Sequence, residues 1–348
     1  MEGGLMEVLS DAIREALFEV IEDLLKTENF KVNIEPGSKK GDNFIGIVYR
    51  IIFSTADKKR SSKLFLKIAP ENEEHREKVL AHRFFLREIY VHNEVLPCFR
   101  EFQKSRAIVA GNDGFFEYPQ CYKFLDAEPF ECLFLQDVTE KGFEMINKDE
   151  LTVEHILLVM QALGKLHAIS FAMKDQQRDK FSDIVNGLHE HFFRHGYNAV
   201  VAEMHKNAAI NVINAITDEK DSHLLEAVLK MYEISQFDIL VNCVDANEAE
   251  PYSVVIHGDM WSNNTMFKVN KQNKPSKVCI IDWQICRYSS PVLDIVYYIF
   301  LSTTRELRGR NYNIYLKTYH ESLSNHLIRY SKSIDFLQIE QKCTPFLQ

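Results

Sequence analysis

The 348-residue chain is 46% hydrophobic and 26% charged, the balance of a globular protein and not of a disordered or fibrous one, and its length calls for about two lobes or domains. A net charge of −9 with no long basic run gives nucleic acid nothing to bind, so a phosphate-rich ligand has to be held by local donors and a metal ion. Seven scattered cysteines without a C-x-x-C pair, and an acidic amino terminus with no basic start and apolar core, lead us to expect a reduced, cytoplasmic setting.

In chain order, Leu9, Ile13, Leu17, Ile21, Leu24 and Leu25 recur at helical spacing and predict a leading amphipathic helix over residues 5–26. The following loop is turn-rich. Its Gly37, Gly41 and Gly46 offer backbone N–H groups to a phosphate as readily as they form an ordinary hairpin, and Ser38 and Asn43 add side-chain donors. Strands are expected over 44–53 and 63–68, joined by a polar hairpin at Lys58 to Ser62. Residues 73–96 predict one long helix ending at Pro97, and shorter strand-like runs follow at 107–110, 117–124 and 132–136. From Thr152 the period is helical, first to Met173 and then in segments across roughly 185–235, with few strands before Val254. The most apolar long run, Pro291 to Leu301, is well short of the ~20 residues that cross a bilayer, and Glu2 stands where myristoylation requires glycine. No membrane partner is expected. The pattern predicts an α+β chain with a β-rich amino-terminal lobe and a mainly helical carboxy-terminal lobe, divided near 136–142.

The chemistry gathers between His257 and Asp282, which reads H-G-D-M-W-S-N-N-T-M-F and, after a polar stretch, C-I-I-D-W-Q. Phosphoryl transfer needs a group that positions the attacking hydroxyl and others that hold the metal ions neutralising the phosphates. Asp259 fits the first task; Asn264 and Asp282 fit the second. The five-residue step from Asp259 to Asn264 equals that of the kinase catalytic loop H-R-D-L-x-x-x-N, with Gly258 in place of the arginine. Upstream, Lys67 projects an ammonium from the apolar strand L-F-L-K-I, and Glu88 follows on the long helix. Each alone reads equally well as a surface residue; their order ahead of the loop makes them a candidate phosphate-binding pair. His257 and Asp294 are read as structural supports of the loop, Trp261 as core packing, and His167 as a core histidine beside it.

The motifs H-G-D-x-W-x-x-N-x-M-F and I-D-W-Q, with L-F-L-K, F-L-R-E-I-Y and L-F-L-Q-D-V-T-E-K-G-F, resemble the ecdysteroid kinase-like (CHK kinase-like) family of insects. That family groups with the choline kinases and aminoglycoside phosphotransferases in the protein-kinase-like fold. The resemblance spans about residues 30–320. It implies ATP and Mg2+ as cofactors, Asp259 as catalytic base, Asn264 and Asp282 as magnesium ligands, Lys67 with Glu88 at the phosphates, and Gln136 to Val138 as the hinge meeting the adenine. Nucleotide-binding residues are therefore expected to be Lys67, Glu88, Asn43, Gln136 and Val138, in a lobe of residues 1–137, with catalysis and substrate in 138–348. Gln136 stands where the family commonly has an acid, and the chain ends sooner after Tyr330 than the family pattern implies.

No A-P-E-closed activation segment follows Asp282, and only a short stretch separates it from Pro291, so a small hydroxylated molecule is expected as acceptor and a protein substrate is not. The resemblance implies an ecdysteroid or similar lipophilic alcohol. Two alternatives stand beside it: a catalytically silent pseudokinase that carries a nucleotide or steroid, and a kinase of choline or aminoglycosides.

Overall fold

The computed structural model describes residues 9–37, 45–109, 114–193, 199–216, 222–231 and 236–331. Asn43, Ser38 and Gly41 lie outside these. Helix α1 (Asp11–Leu25) starts where the Ser10 hydroxyl accepts the Ile13 N–H and stops at Lys26 in the left-handed region. Its buried face, Ile13, Ala16, Leu17, Val20, Ile21 and Leu25, lies on one side of a five-stranded antiparallel sheet. That sheet contains β1 (Phe30–Pro36), β2 (Ile47–Thr55), β3 (Ser61–Ile68), β4 (Cys121–Leu125) and β5 (Cys132–Gln136), in the order β1-β2-β3-β5-β4. Strand β1 was not anticipated, although Phe30, Val32 and Ile34 alternate with polar residues; Ile34 reaches the core under α1. Burial of each such leucine, isoleucine or phenylalanine stabilises by about 1.5–3 kcal/mol, which fixes α1 on the sheet.

Between β3 and β4 the expected single helix is broken and extended. Helix α2 (Glu73–Val79) ends at Leu80 with φ 55°, α3 (Ala81–Tyr90) runs into a π-turn at Val91–Val95, and α4 (Leu96–Lys104) continues the rod. Pro97 opens α4 instead of ending a helix, because a first-turn residue has no intrahelical N–H bond to lose. The expected strand at 107–110 is irregular where described, and the one expected at 117–124 shortens to β4, which starts at Cys121.

After β5 come a 3-10 turn (Val138–Lys141), β6 (Phe143–Met145), α5 (Val153–Gln176), α6 (Arg178–Asn186), α7 (Ala199–Ala215), α8 (Ser222–Met231), α9 (Gln236–Val244) and α10 (Ala246–Ala249). Then β7 (Val254–Ile256), β8 (Thr265–Val269), β9 (Pro275–Ile280), β10 (Arg287–Ser289), α11 (Val292–Ser302) and α12 (Arg305–Tyr330) complete the described chain. β6, β8 and β9 form one small antiparallel sheet, and β7 pairs with β10. Helix α5, and not 291–301, is the long apolar segment: length and composition would let it cross a bilayer, but 72% of its apolar stretch is buried inside the fold. It packs along α12, and with α4, α11, β8 and β9 forms the largest core, around Met160, Leu163, Leu166, Ile169, Tyr298, Tyr315 and Leu323.

Candidate active site

The alternation of β3 sends Leu64, Leu66 and Ile68 into the core under α1 and leaves Phe65 and Lys67 on the opposite face. There the Lys67 Nζ lies 2.6 Å from Glu88 Oε2 on α3 and 2.6 Å from Asp282 Oδ1 beyond β9. The side chains of Lys67 and Glu88 are 11% and 1% exposed, so this is one buried cation between two acids. Burial disfavours the Lys67 ammonium, but the two carboxylates more than offset it and raise its pKa. Glu88 is pushed up by burial, against the pull of Lys67. Asp282 adopts φ 66°, a left-handed conformation rare outside glycine, immediately after the strand that carries it to Lys67.

The loop from β7 to β8 is built by hydrogen bonds. The fully buried Asp294 of α11 accepts from His257 N and Gly258 N, each at 2.8 Å, and from His167 Nε2 at 3.4 Å. Burial alone would raise its carboxyl; His167 and the loop N–H groups hold it below the usual range. His257 Nε2 meets the Ile281 carbonyl at 3.0 Å, and Ile281 N donates to Asn264 O at 3.0 Å, so the loop and the residue before Asp282 are tied together. Asn264 Nδ2 donates to Asp259 Oδ2 at 3.0 Å and to the Asp259 carbonyl at 2.9 Å. Asn264 is buried while Asn263 is exposed, so the five-residue step selects the asparagine that touches the acid. Burial pushes the Asp259 carboxyl up and Asp282 adds to this, while His257 first, then the Asn264 amide and last Arg287 pull it down.

Gly258 has φ +86°, and a Cβ there would stand 2.3 Å from the Ile285 carbonyl and 3.4 Å from Arg287 Nε. No other residue fits the turn without moving backbone. Trp261 was read as core packing, yet it is partly exposed; the buried tryptophan is Trp283, whose ring lies 4.7 Å from that of His257 and edge-on to Phe115.

At the link between the lobes, Gln136 ends β5 and accepts from Lys141 Nζ at 3.0 Å, while Val138 packs with Met266, Cys279, Phe143 and Ile281. Between them sits Asp137, which the motifs did not single out. It is fully buried, accepts from Arg50 Nε at 3.1 Å and from Thr139 N at 2.9 Å, and so pins the segment to β2. Arg287 and Arg87 also escaped notice. Arg87 stands inside the motif F-L-R-E-I-Y but was given no role there, and Arg287 lies in no motif; only the pairing of β10 with β7, Arg287 opposite Ile256, brings Arg287 to the loop.

The structure thus brings Lys67, Glu88 and Asp282 into direct contact, and Asp259 with Asn264 beside them, in the cleft between a β-rich and a helical lobe. The donors Asn264 and Asp282 fit a magnesium ion. Asn264 commits its amide nitrogen to Asp259 and Asp282 commits Oδ1 to Lys67, leaving one hard oxygen on each.

These features define an α+β, two-lobed, protein-kinase-like fold. The chain belongs to the ecdysteroid kinase-like family, whose sequence model it matches over residues 40–331, and the family places it among small-molecule kinase-like proteins. A comparison with curated proteins finds no match. Among solved structures, a Plasmodium vivax ethanolamine kinase aligns with a TM-score of 0.43 at 11% identity, covering 94% of this chain and 84% of that one.

Proposed function

We propose that the protein is an ATP-dependent phosphotransferase whose acceptor is a hydroxyl of a small lipophilic molecule, of the ecdysteroid type or a similar alcohol. The observation that carries this reading is the joining of Lys67, Glu88 and Asp282 beside the Asp259–Asn264 pair, five side chains from both lobes meeting in one cleft. A silent carrier has no need of a buried carboxylate held ready by an amide, the Asp259–Asn264 pair.

In this reading Lys67, oriented by Glu88, binds the nucleotide phosphates, and the Gln136–Val138 segment, stiffened by Asp137, receives the adenine. Asn264 and Asp282 hold magnesium, which when bound neutralises charge developing on the phosphates. Asn264 fixes Asp259 Oδ2, so Oδ1 is the oxygen that accepts the acceptor's hydroxyl proton. The α11 face beside the loop supports a lipophilic acceptor. Val296, Tyr297, Phe300 and Leu301 are 38–52% exposed there, and Tyr297 lies within electrostatic reach of Asp259. A solvent-facing row of this kind on a helix that also carries the buried Asp294 is an apolar shelf next to the proposed base.

Removal of a general base costs about 10²–10⁴-fold in rate. Asp259→Asn is therefore expected to lose turnover by that factor in a magnesium- and ATP-dependent assay across sterols and small alcohols, while nucleotide affinity stays within a few-fold. Undiminished turnover in the variant would remove Asp259 from the role, and a wild-type protein that binds nucleotide without consuming it on any acceptor would favour the carrier reading.

A further inference from the structure

A cavity of about 990 Å³ spans both lobes, and none of Lys67, Glu88, Asp259, Asn264 and Asp282 lines it. Its size falls in the range of roughly 300–1,000 Å³ that holds small-molecule ligands. The walls are the hinge with β6, the hairpin of β8 and β9, residues 114–118, and one face each of α5 and α12. Phe116, Phe143 and Leu158 give it a partly exposed apolar surface over the buried Val138 and Val278. The opposite character comes from the hairpin. Although the chain carries −9 overall, Lys268, Lys271, Lys274 and Lys277 stand between Asp259 and Asp282 with no acid among them. Lys268 and Lys277 are direct partners in the β8–β9 ladder and both line the cavity, an arrangement in which like charges repel. Lys141 joins them: Lys268 Nζ donates to its carbonyl at 2.6 Å, and its own Nζ donates to Gln136 Oε1 at 3.0 Å. Among the described residues no carboxylate pairs with any of these three lysines. The acids of the cavity are committed elsewhere, Glu117 to Lys165, Glu140 to the Ser62 hydroxyl and Glu321 to Lys317.

We propose that this cavity is a second ligand site, which takes an amphipathic anion: an apolar body against Phe116, Phe143 and Leu158, and an anionic head group on Lys141, Lys268 and Lys277. The head group relieves the repulsion that the ladder imposes on Lys268 and Lys277. An ammonium is a point charge with three donors, so three of them serve a phosphate monoester or a carboxylate without the fixed geometry of a guanidinium fork. The place of the site gives it a use. Lys141 holds Gln136 with one donor and has others for the head group, so an occupied cavity bears directly on the hinge. The site does not depend on the acceptor assigned above.

The test titrates octyl phosphate, and in parallel octanoate, into the full-length protein by calorimetry at constant ionic strength and below micelle formation, with 1-octanol and inorganic phosphate as controls. Saturable one-to-one binding of at least one of the two amphiphiles is expected, with each control about ten-fold weaker or more. A preference for octyl phosphate identifies a monoester site and a preference for octanoate a carboxylate site; either supports the proposal. Lys277→Glu should weaken binding about ten-fold, the equivalent of about 1.4 kcal/mol, because it takes a cation from the head group and adds an anion. The same change sets a carboxylate opposite Lys268, so its thermal unfolding midpoint should equal or exceed that of the wild type and the loss is not one of folding. Absence of saturable binding overturns the proposal. So does octanol or phosphate binding as tightly as the amphiphiles, and so does binding that Lys277→Glu leaves unchanged, because that ligand sits in another cleft.

Discussion

Asp259 shows how one side chain takes its properties from residues far away in sequence. Its carboxyl is raised by burial and by Asp282, and lowered by His257, by Asn264 and, least, by Arg287, which reaches the loop past Gly258. In a kinase loop of the H-R-D type the arginine is next to the acid; here the glycine leaves room and β10 brings a guanidinium from outside. The sign of the pH effect follows. A base works when ionised, so activity falls as pH drops through the Asp259 pKa, and loss of Arg287 raises that pKa further. Arg287→Gln is expected to move the acid limb of the kcat/KM profile to higher pH. A merely structural role for Arg287 would lower the plateau and leave the limb in place. At this scale the motif spacing singled out Asp259, Asn264 and Asp282 because catalytic loops are local, whereas Arg287 lies in no motif, and Arg87 and Asp137, though inside quoted motifs, show what they hold only through burial and their partners.

At the scale of elements, the periodic segments were readable and their interruptions were not. The 152–173 period is α5, and the leading helix is α1, because a buried helical face leaves a repeat in the sequence. The break at Leu80 and the π-turn at 91–95 left no repeat; the π-turn falls where α3, packed in the cluster of Phe84 and Phe85, passes into α4, whose Phe99 and Phe102 belong to the main core. Helix pairing supplies a test. Gly164 of α5 faces α12 so closely that a Cβ would stand 2.6 Å from Ser322 Cβ and 2.8 Å from Leu323 N. Helix propensity alone favours alanine there by about 1 kcal/mol. Overpacking costs about 1–3 kcal/mol and should win, because backbone has to yield. Gly164→Ala is expected to lower stability in urea denaturation, and a gain would show that the helices separate freely.

For the whole molecule, the Lys67 cluster is the joint between lobes: residues 67 and 282 are 215 positions apart, yet their side chains form one ion pair. Lys67→Met leaves Glu88 and Asp282 facing each other without a cation. Breaking a buried pair typically costs 3–5 kcal/mol, and the partial exposure of Asp282, 29%, puts the expected loss at about 3 kcal/mol. Denaturation should show that loss at neutral pH and a smaller one in acid, where Glu88, already raised by burial, takes up a proton. Equal losses at both pH values would mean that packing, and not charge, holds the joint. The same variant should lose nucleotide binding, which Asp259→Asn should keep.

By itself the sequence determined the lobes' composition, the amphipathic helices and the spacing of the catalytic motif, because each rests on neighbours within a turn or a strand. The tertiary structure alone decided that Asp282 closes onto the Lys67–Glu88 pair, that Arg287 comes to the catalytic loop through β10, and that an exposed apolar row on α11 lies within reach of Asp259. Those contacts join residues from different elements, and their free energy is gained only when the chain has already folded.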